Sequence, residues 1–261
     1  MRFEIDLAGR RALITGAGQG VGRAIALSLS SVGAVVAVND VIRERADEVV
    51  EEIRRAGGEA DVASFDVTDW DGVRSAVRDL GAVHILVNNA GNAGVQGYTP
   101  MVPFVETEPH EWDRYFQVNL YGVMHCTRAV LPGMIGLGDG RIVTVISDAG
   151  RHGDINLAPY AAAKAGAAGF SRSVAREVGR HGITVNCVAL GTIHTPTTAA
   201  RTTPDDPEAE ARQKKALSQY IIRRRGEPED VAGMVTYLVS PLASWITGQT
   251  YPVNGGYTLT L

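Results

Sequence analysis

Thr15-Gly16-Ala17-Gly18-Gln19-Gly20-Val21-Gly22 follows a short apolar run, Ala12-Leu13-Ile14, and opens into residues of helical period over 21–31. Glycines placed between a first strand and a first helix turn the chain tightly. They also let the backbone approach a pyrophosphate and let helix and strand pack closely. The helix N-terminus adds free N–H groups and a partial positive charge for phosphate oxygens. Gly16, Gln19, Gly20, Val21 and Gly22 are therefore candidate contacts of a dinucleotide. A plain turn is the other use of such a loop, and the rest of the chain has to decide between them.

Downstream the pattern is that of repeated βαβ units. Short β-branched runs predict strands over 12–15, 35–39, 61–65, 85–88, 142–146, 184–188 and 250–253. Most are apolar throughout, so both faces of the sheet should lie under helices. Helical periods cover 21–31, 43–56, 111–134, 159–181 and 228–239, and another helix begins near Trp70 behind an Asp69 cap. Gly33, Gly57, Gly58, Gly81 and Gly182 mark helix ends, and Pro228 suits a first turn. The expected fold is α/β, a single Rossmann domain over 1–261. Its seven-stranded parallel sheet is doubly wound, with helices on both faces and right-handed crossovers. The Thr-, Pro- and acid-rich stretch 192–211 reads as a surface excursion, part of a substrate lid at about 190–220.

The second strand ends near Asp40, eighteen residues after Gly22. A carboxylate there accepts hydrogen bonds from both ribose hydroxyls of an adenosine half. It repels a 2′-phosphate by an order of 1–4 kcal/mol per unit charge at about 4 Å. Gln19 stands where the phosphate loop could carry a compensating cation, and Arg43 is near enough in sequence to soften the bias. NAD(H) is expected over NADP(H). Capping the following helix is a second role compatible with the same Asp40.

The 261 residues are 45% apolar and carry a net charge of −4, which argues against nucleic acid or an anionic membrane as partner. Arg223, Arg224 and Arg225 read as a solvated helix end or an anion contact. Two cysteines, Cys126 and Cys187, and six unpaired histidines predict no metal site. The N-terminal residues have no secretory pattern, and no apolar run approaches a membrane span. A cytoplasmic protein with a small-molecule substrate is expected.

Further motifs follow the glycine loop in order: Asp66-Val67, Asn88-Asn89-Ala90-Gly91, Asn119, Ser147, Tyr160-x-x-x-Lys164 and Ile246-Thr247-Gly248-Gln249. With them the chain resembles the short-chain dehydrogenase/reductase family along essentially its whole length. The resemblance implies hydride transfer between nicotinamide and a secondary alcohol or ketone. Tyr160 and Lys164, four apart in a helical run, share one face. A phenol is a poor base near neutrality, and an adjacent ammonium favours the phenolate. Tyr160 would then be the general acid and base, with Lys164 tuning it and binding the nicotinamide ribose. Ser147 would hydrogen-bond the substrate oxygen, and Asn119 would hold a water that extends the proton path. A bend or cap within 111–134 is the other reading of Asn119. The resemblance also sets Asp66 and Val67 at the adenine, and Asn89, Ala90 and Gly91 on the adenosine ribose side. Ile193 and Thr195 fall at the carboxamide. A strand-end cap is the alternative for Asp66.

The chain departs from the family in places. Leu190-Gly191 replaces the usual Pro-Gly and is expected to loosen the loop facing the nicotinamide, while Ile146 stands where a second Ser is common. The stretch 94–109 is long, as a pocket rim or a solvated loop. Substrate choice is expected from 94–109, 148–158 and 190–220. Relatives act on 3-oxoacyl or hydroxyacyl thioesters, among other alcohols and ketones, and cyclic alcohols are also considered. The turn Gly136-Leu137-Gly138-Asp139-Gly140 lacks the basic residues expected for an acyl-carrier-protein partner. NAD suits oxidation. The family implies a homotetramer or homodimer, pairing 111–134 with 159–181 on one axis and 228–239 with the last strand on another. Ala161, Ala162, Ala163, Ala165, Ala167 and Ala168 could serve that approach or pack against the sheet. The competing readings are a cofactor-binding sensor or scaffold, an NADP-dependent 3-oxoacyl reductase, and an epimerase or dehydratase. The intact Ser–Tyr–Lys set speaks against the sensor.

Overall fold

In the computed structural model, which describes residues 4–91, 101–195 and 214–259, seven strands form one parallel sheet. They are β1 (Arg11–Ile14), β2 (Val35–Val38), β3 (Ala60–Val62), β4 (Ile85–Asn88), β5 (Gly140–Ser147), β6 (Ile183–Leu190) and β7 (Thr250–Val253). Their spatial order is β3-β2-β1-β4-β5-β6-β7. The chain winds outward from β1 to β3, then crosses back to β4 on the other side of β1. A crevice opens at that reversal, beyond the carboxyl ends of β1 and β4.

Alternation along the strands explains the layers. Ile14, Val36, Val38, Ile85 and Val87 point to one side, where α1 (Gly20–Ser31), α2 (Arg43–Arg55) and α8 (Pro228–Val239) cover them with Ile25, Leu29, Val50, Ile53 and Leu238. Leu13, Ala37, Leu86 and Ile142 point to the other side. They meet Val73 and Val77 of α3 (Trp70–Leu80), Val130 and Met134 of α5 (Gly122–Leu137), and Val174 and Val178 of α7 (Ala158–Val178). Each such aliphatic side chain, fully buried, contributes about 1.5–3 kcal/mol. Two shorter helices, α4 (Pro109–Phe116) and α6 (Ala149–His152), border the crevice. Asp69 caps α3 by accepting the Asp71 N–H, and Pro228 occupies the first turn of α8. Among the described residues no helix is long and apolar enough to cross a membrane.

Three expectations are corrected. The third strand covers 60–62 rather than 61–65, because the Asn39 amide donates to the carbonyls of Ala63 (2.9 Å) and Phe65 (3.0 Å). A side chain there replaces the neighbouring strand as hydrogen-bond partner. The helix expected over 111–134 is interrupted by a π-turn, Gln117–Tyr121, in which the Gly122 N–H reaches back to the Gln117 carbonyl. β6 continues through Leu190, which pairs with Ser147 and Val253, so Leu190-Gly191 leaves that end of the strand firm rather than loose. A leucine, unlike a proline, can stay in the ladder.

The alanine stripe on α7 divides. Ala163, Ala167 and Ala168 are buried within the subunit, whereas Ala162 and Ala165 are exposed.

Candidate active site

The glycine loop is cramped. A Cβ on Gly22 would stand 2.3 Å from the Gly16 carbonyl oxygen, and one on Gly16, at φ +61°, would stand 2.9 Å from Ala90 Cα. The Asn89 amide donates to the carbonyls of Thr15 (2.9 Å) and Gly16 (3.0 Å). Thr15 Oγ1 in turn accepts from the N–H groups of Asn89 (3.1 Å) and Ala90 (3.0 Å). The ends of β1 and β4 are thereby tied, and the Asn89 side chain is committed to bracing the loop. At the end of β2, buried Asp40 accepts the N–H of Gly18 (3.2 Å) and of Ile42 (3.0 Å).

A cleft of about 580 Å³ runs from this loop along the carboxyl ends of the strands. Gly16, Gln19, Gly20, Val21, Gly22 and Asp40 line one end, with Asp66, Val67, Asn89, Ala90 and Gly91 beside them. Ser147, Tyr160, Lys164, Ile193 and Thr195 line it further on. Such a long groove, floored by glycine backbone at the sheet's reversal, fits a dinucleotide. Asp66 accepts the N–H (2.8 Å) and hydroxyl (2.9 Å) of Thr68, so it also closes a local turn.

Ser147, the last residue of β5, accepts the Ala149 N–H at 3.2 Å. Tyr160 lies in the first turn of α7 and Lys164 one turn on. The Lys164 side chain is 4% exposed, and its Nζ donates to the Val145 carbonyl at 2.9 Å and lies 5.9 Å from the Tyr160 ring centre. Burial lowers its pKa to about 8. Of the predicted site residues only Asn119 lies outside the cleft lining, fully buried in the π-turn. Its amide nitrogen donates to the Tyr115 carbonyl at 2.9 Å. A Cβ on Gly91 would stand 3.1 Å from both Asn119 Oδ1 and Lys164 Nζ, so the bare glycine leaves the space those two atoms flank.

Sequence reasoning missed some lining residues and placed others only by stretch. Arg45, not Arg43, faces the cleft next to Asp40, while Arg43 points out to Asp47 at 3.7 Å. Met101, Asp154, Gln219 and Tyr220 line the cleft from the three stretches expected to choose the substrate, and Tyr115 and Tyr257 line it from outside them. Residues 94–100 of the long rim and 196–213 of the expected lid lie outside the described residues.

A fold and cleft of this kind define a class: nucleotide-dependent oxidoreductases of the Rossmann type. The family profile described as enoyl-(acyl carrier protein) reductase matches residues 16–258. The 7alpha-hydroxysteroid dehydrogenase of Escherichia coli K12 is 36% identical over 257 residues, covering 97% of this chain and 95% of that protein. A 3-oxoacyl-(acyl-carrier-protein) reductase of Staphylococcus epidermidis is 38% identical over 252 residues, 95% of this chain and 98% of that one. Among solved structures, a gluconate 5-dehydrogenase from Burkholderia cenocepacia in complex with NADP and tartrate superposes with a TM-score of 0.88 at 33% identity, covering 98% of each chain. A 7alpha-hydroxysteroid dehydrogenase complexed with NADH and 7-oxo glycochenodeoxycholic acid gives a TM-score of 0.86 at 35% identity, covering 96% of this chain and 95% of the other. The chain belongs to the short-chain dehydrogenase/reductase family. Its reaction is hydride transfer between a nicotinamide cofactor and a secondary alcohol or ketone.

Proposed function

We propose that Tyr160 is the general acid and base of this hydride transfer, with Ser147, Lys164 and Asn119 completing its machinery. The observation that carries the assignment is Lys164 Nζ, buried one helical turn from Tyr160 and fixed to the Val145 carbonyl at 2.9 Å. The nicotinamide, when bound, exchanges the hydride. Ser147 already accepts the Ala149 N–H, so its own hydroxyl proton is available for the substrate oxygen. During oxidation the Tyr160 phenolate takes the carbinol proton, and during reduction the phenol returns it. A protonated Lys164 beside the ring stabilises that phenolate. Asn119, with its amide nitrogen held by Tyr115, turns Oδ1 towards Lys164 and receives the water through which the proton leaves.

NAD(H) is the favoured cofactor, because the buried Asp40 carboxylate sits at the ribose end of the cleft. Arg45 beside it moderates the discrimination. Gly16, Gln19, Gly20, Val21 and Gly22 cradle the pyrophosphate; Asp66, Val67, Ala90 and Gly91 border the adenosine half, and Ile193 and Thr195 the carboxamide. Alcohol oxidation is the favoured direction, in a cytoplasmic homotetramer. Exposed Ala162 and Ala165 on α7 support one axis of that assembly. The outer edge of β7, unpaired among the described residues, and Trp245 just before that strand, 98% exposed, support the other.

The test is direct. Purified protein with NAD and a panel of secondary alcohols should generate NADH absorbance. Tyr160→Phe should lower kcat by about 10²- to 10⁴-fold while NADH binding persists. Undiminished turnover by that variant overturns the assignment.

A further inference from the structure

Between α6 and α7 the chain passes through two left-handed residues, Gly153 (φ +82°) and Asn156 (φ +64°). Only the first is a glycine. Asn156 is clasped to the Met101 carbonyl at 3.2 Å, which secures the segment against the far rim of the cleft. Between these two residues half-buried Asp154 lines the same cleft as Ser147 and Tyr160.

Its surroundings are specific. Tyr257 stands beside the carboxyl and interacts with it electrostatically, and His152 Nε2 stands 3.8 Å from Oδ1. Tyr257 is held in place by stacking on Tyr220 (4.9 Å between ring centres) and by the edge of His152 (5.2 Å). Tyr220 is itself anchored, donating its hydroxyl to Thr192 Oγ1 at 3.0 Å. The nearby cation, Arg151, is spent on buried Asp148 at 2.7 Å. Among the described residues no lysine or arginine pairs with Asp154. Burial, more than any neighbour, pushes its pKa above the ordinary carboxylate value.

We infer that Asp154, supported by Tyr257, is the residue that recognises substrate, taking a hydroxyl other than the one oxidised, so that the substrate is a neutral diol or polyol. The inference rests on the proposed reading of the site as the place of hydride transfer. A carboxylate is an acceptor only, so its oxygens at the cleft wall call for a donor on the ligand. A hydroxyl supplies it. A phosphate or carboxylate placed there meets like charge, and an unsubstituted alkyl chain strips water from a polar group without replacing the bond. The amide of Gln219 on the same lining extends the polar wall.

The experiment compares cyclohexanol with its three positional diols as substrates with NAD, for wild type, Asp154→Asn and Tyr257→Phe. A parallel titration of the enzyme–NADH complex with each alcohol follows nicotinamide fluorescence. Wild type should favour at least one diol over cyclohexanol in kcat/KM by about 10- to 100-fold, the range of a hydrogen bond to a charged group. Asp154→Asn should collapse that ratio, chiefly through the diol KM, and Tyr257→Phe should reduce it in part. Cyclohexanol turned over as well as every diol, or a ratio unmoved in Asp154→Asn, overturns the inference and leaves the hydride-transfer reading standing. Diol binding that depends on Asp154 without turnover by any alcohol supports the inference and counts against the assigned machinery. If no diol binds or turns over, the inference is overturned, and the hydride-transfer reading then stands or falls with turnover of cyclohexanol and of other secondary alcohols.

Discussion

Lys164→Met should make the protein inactive and more stable. Lys164 is 4% exposed, and burial moves its pKa from the ordinary 10.5 to about 8. Keeping the amine protonated in the fold therefore costs about 3 kcal/mol at neutral pH. The direction follows from linkage. Below about pH 8 folded and unfolded chains both hold the proton, and the cost is present in full. Between about 8 and 10.5 the unfolded chain keeps a proton that the folded chain has released, so stability rises with pH, and above 10.5 the cost is gone. Methionine has similar length and carries no charge. It forfeits the ammonium's bond to the Val145 carbonyl, which is worth about 1.5–3 kcal/mol. A net gain of up to about 1.5 kcal/mol remains, or up to about 3–6 °C in Tm for a chain of this size. Calorimetry of the apo protein at fixed protein concentration, at pH 7 and again near pH 10, reads the effect. The variant should melt higher at pH 7, and its advantage should shrink as the pH rises. A variant that melts lower at pH 7, or a difference independent of pH, refutes the idea that a buried ammonium is held here at a cost to stability.

Two further predictions concern the cofactor end. Gly22→Ala places a methyl 2.3 Å from the Gly16 carbonyl oxygen and 2.5 Å from Asn89 Nδ2, atoms of a braced loop with no room to yield. It should weaken NADH binding at least tenfold in a fluorescence titration while the circular dichroism spectrum stays native; unchanged affinity would show that the loop relaxes. Asp40→Asn keeps an acceptor for the Gly18 or Ile42 N–H but removes the charge. The NADP-to-NAD ratio of kcat/KM should rise at least about fivefold, since like-charge repulsion of about 1 kcal/mol or more is relieved. A ratio that stays put would move the source of selectivity to Arg45 or elsewhere in the cleft.

Periodicity revealed the sheet because strands such as Ile85–Asn88, buried on both faces, leave an unbroken apolar run in the sequence. The glycine loop was legible for a related reason: its function is backbone geometry, and only glycine supplies it at Gly16 and Gly20, both at positive φ. Asn119 shows where such reading stops. The residues over 111–134 keep a helical rhythm, and a single π-turn adds one residue to a turn without disturbing the apolar pattern on either side. Arg45 was not legible in this way. Buried Ala46, Val49, Val50 and Ile53 define the face of α2 that meets the sheet, but Arg43 and Arg45 fall on opposite flanks of it, so the helical period does not choose between them.

For the far end of the cleft the sequence pointed to the stretches that hold Met101, Asp154 and Tyr220, but to neither Tyr257 nor the contacts among them. Asp154 and Tyr257 meet because the sheet sets β5, β6 and β7 side by side, which brings the chain after β7 against the turn after β5. Asn254, at the end of β7, bonds Asp148 there at 2.6 Å and closes the same junction. No local pattern encodes a contact between segments so distant in sequence. The chemistry common to the family lies in a loop and a helix and can be read from short motifs. The chemistry that selects a substrate lies where three loops converge, and it becomes visible only once the order of the strands is known.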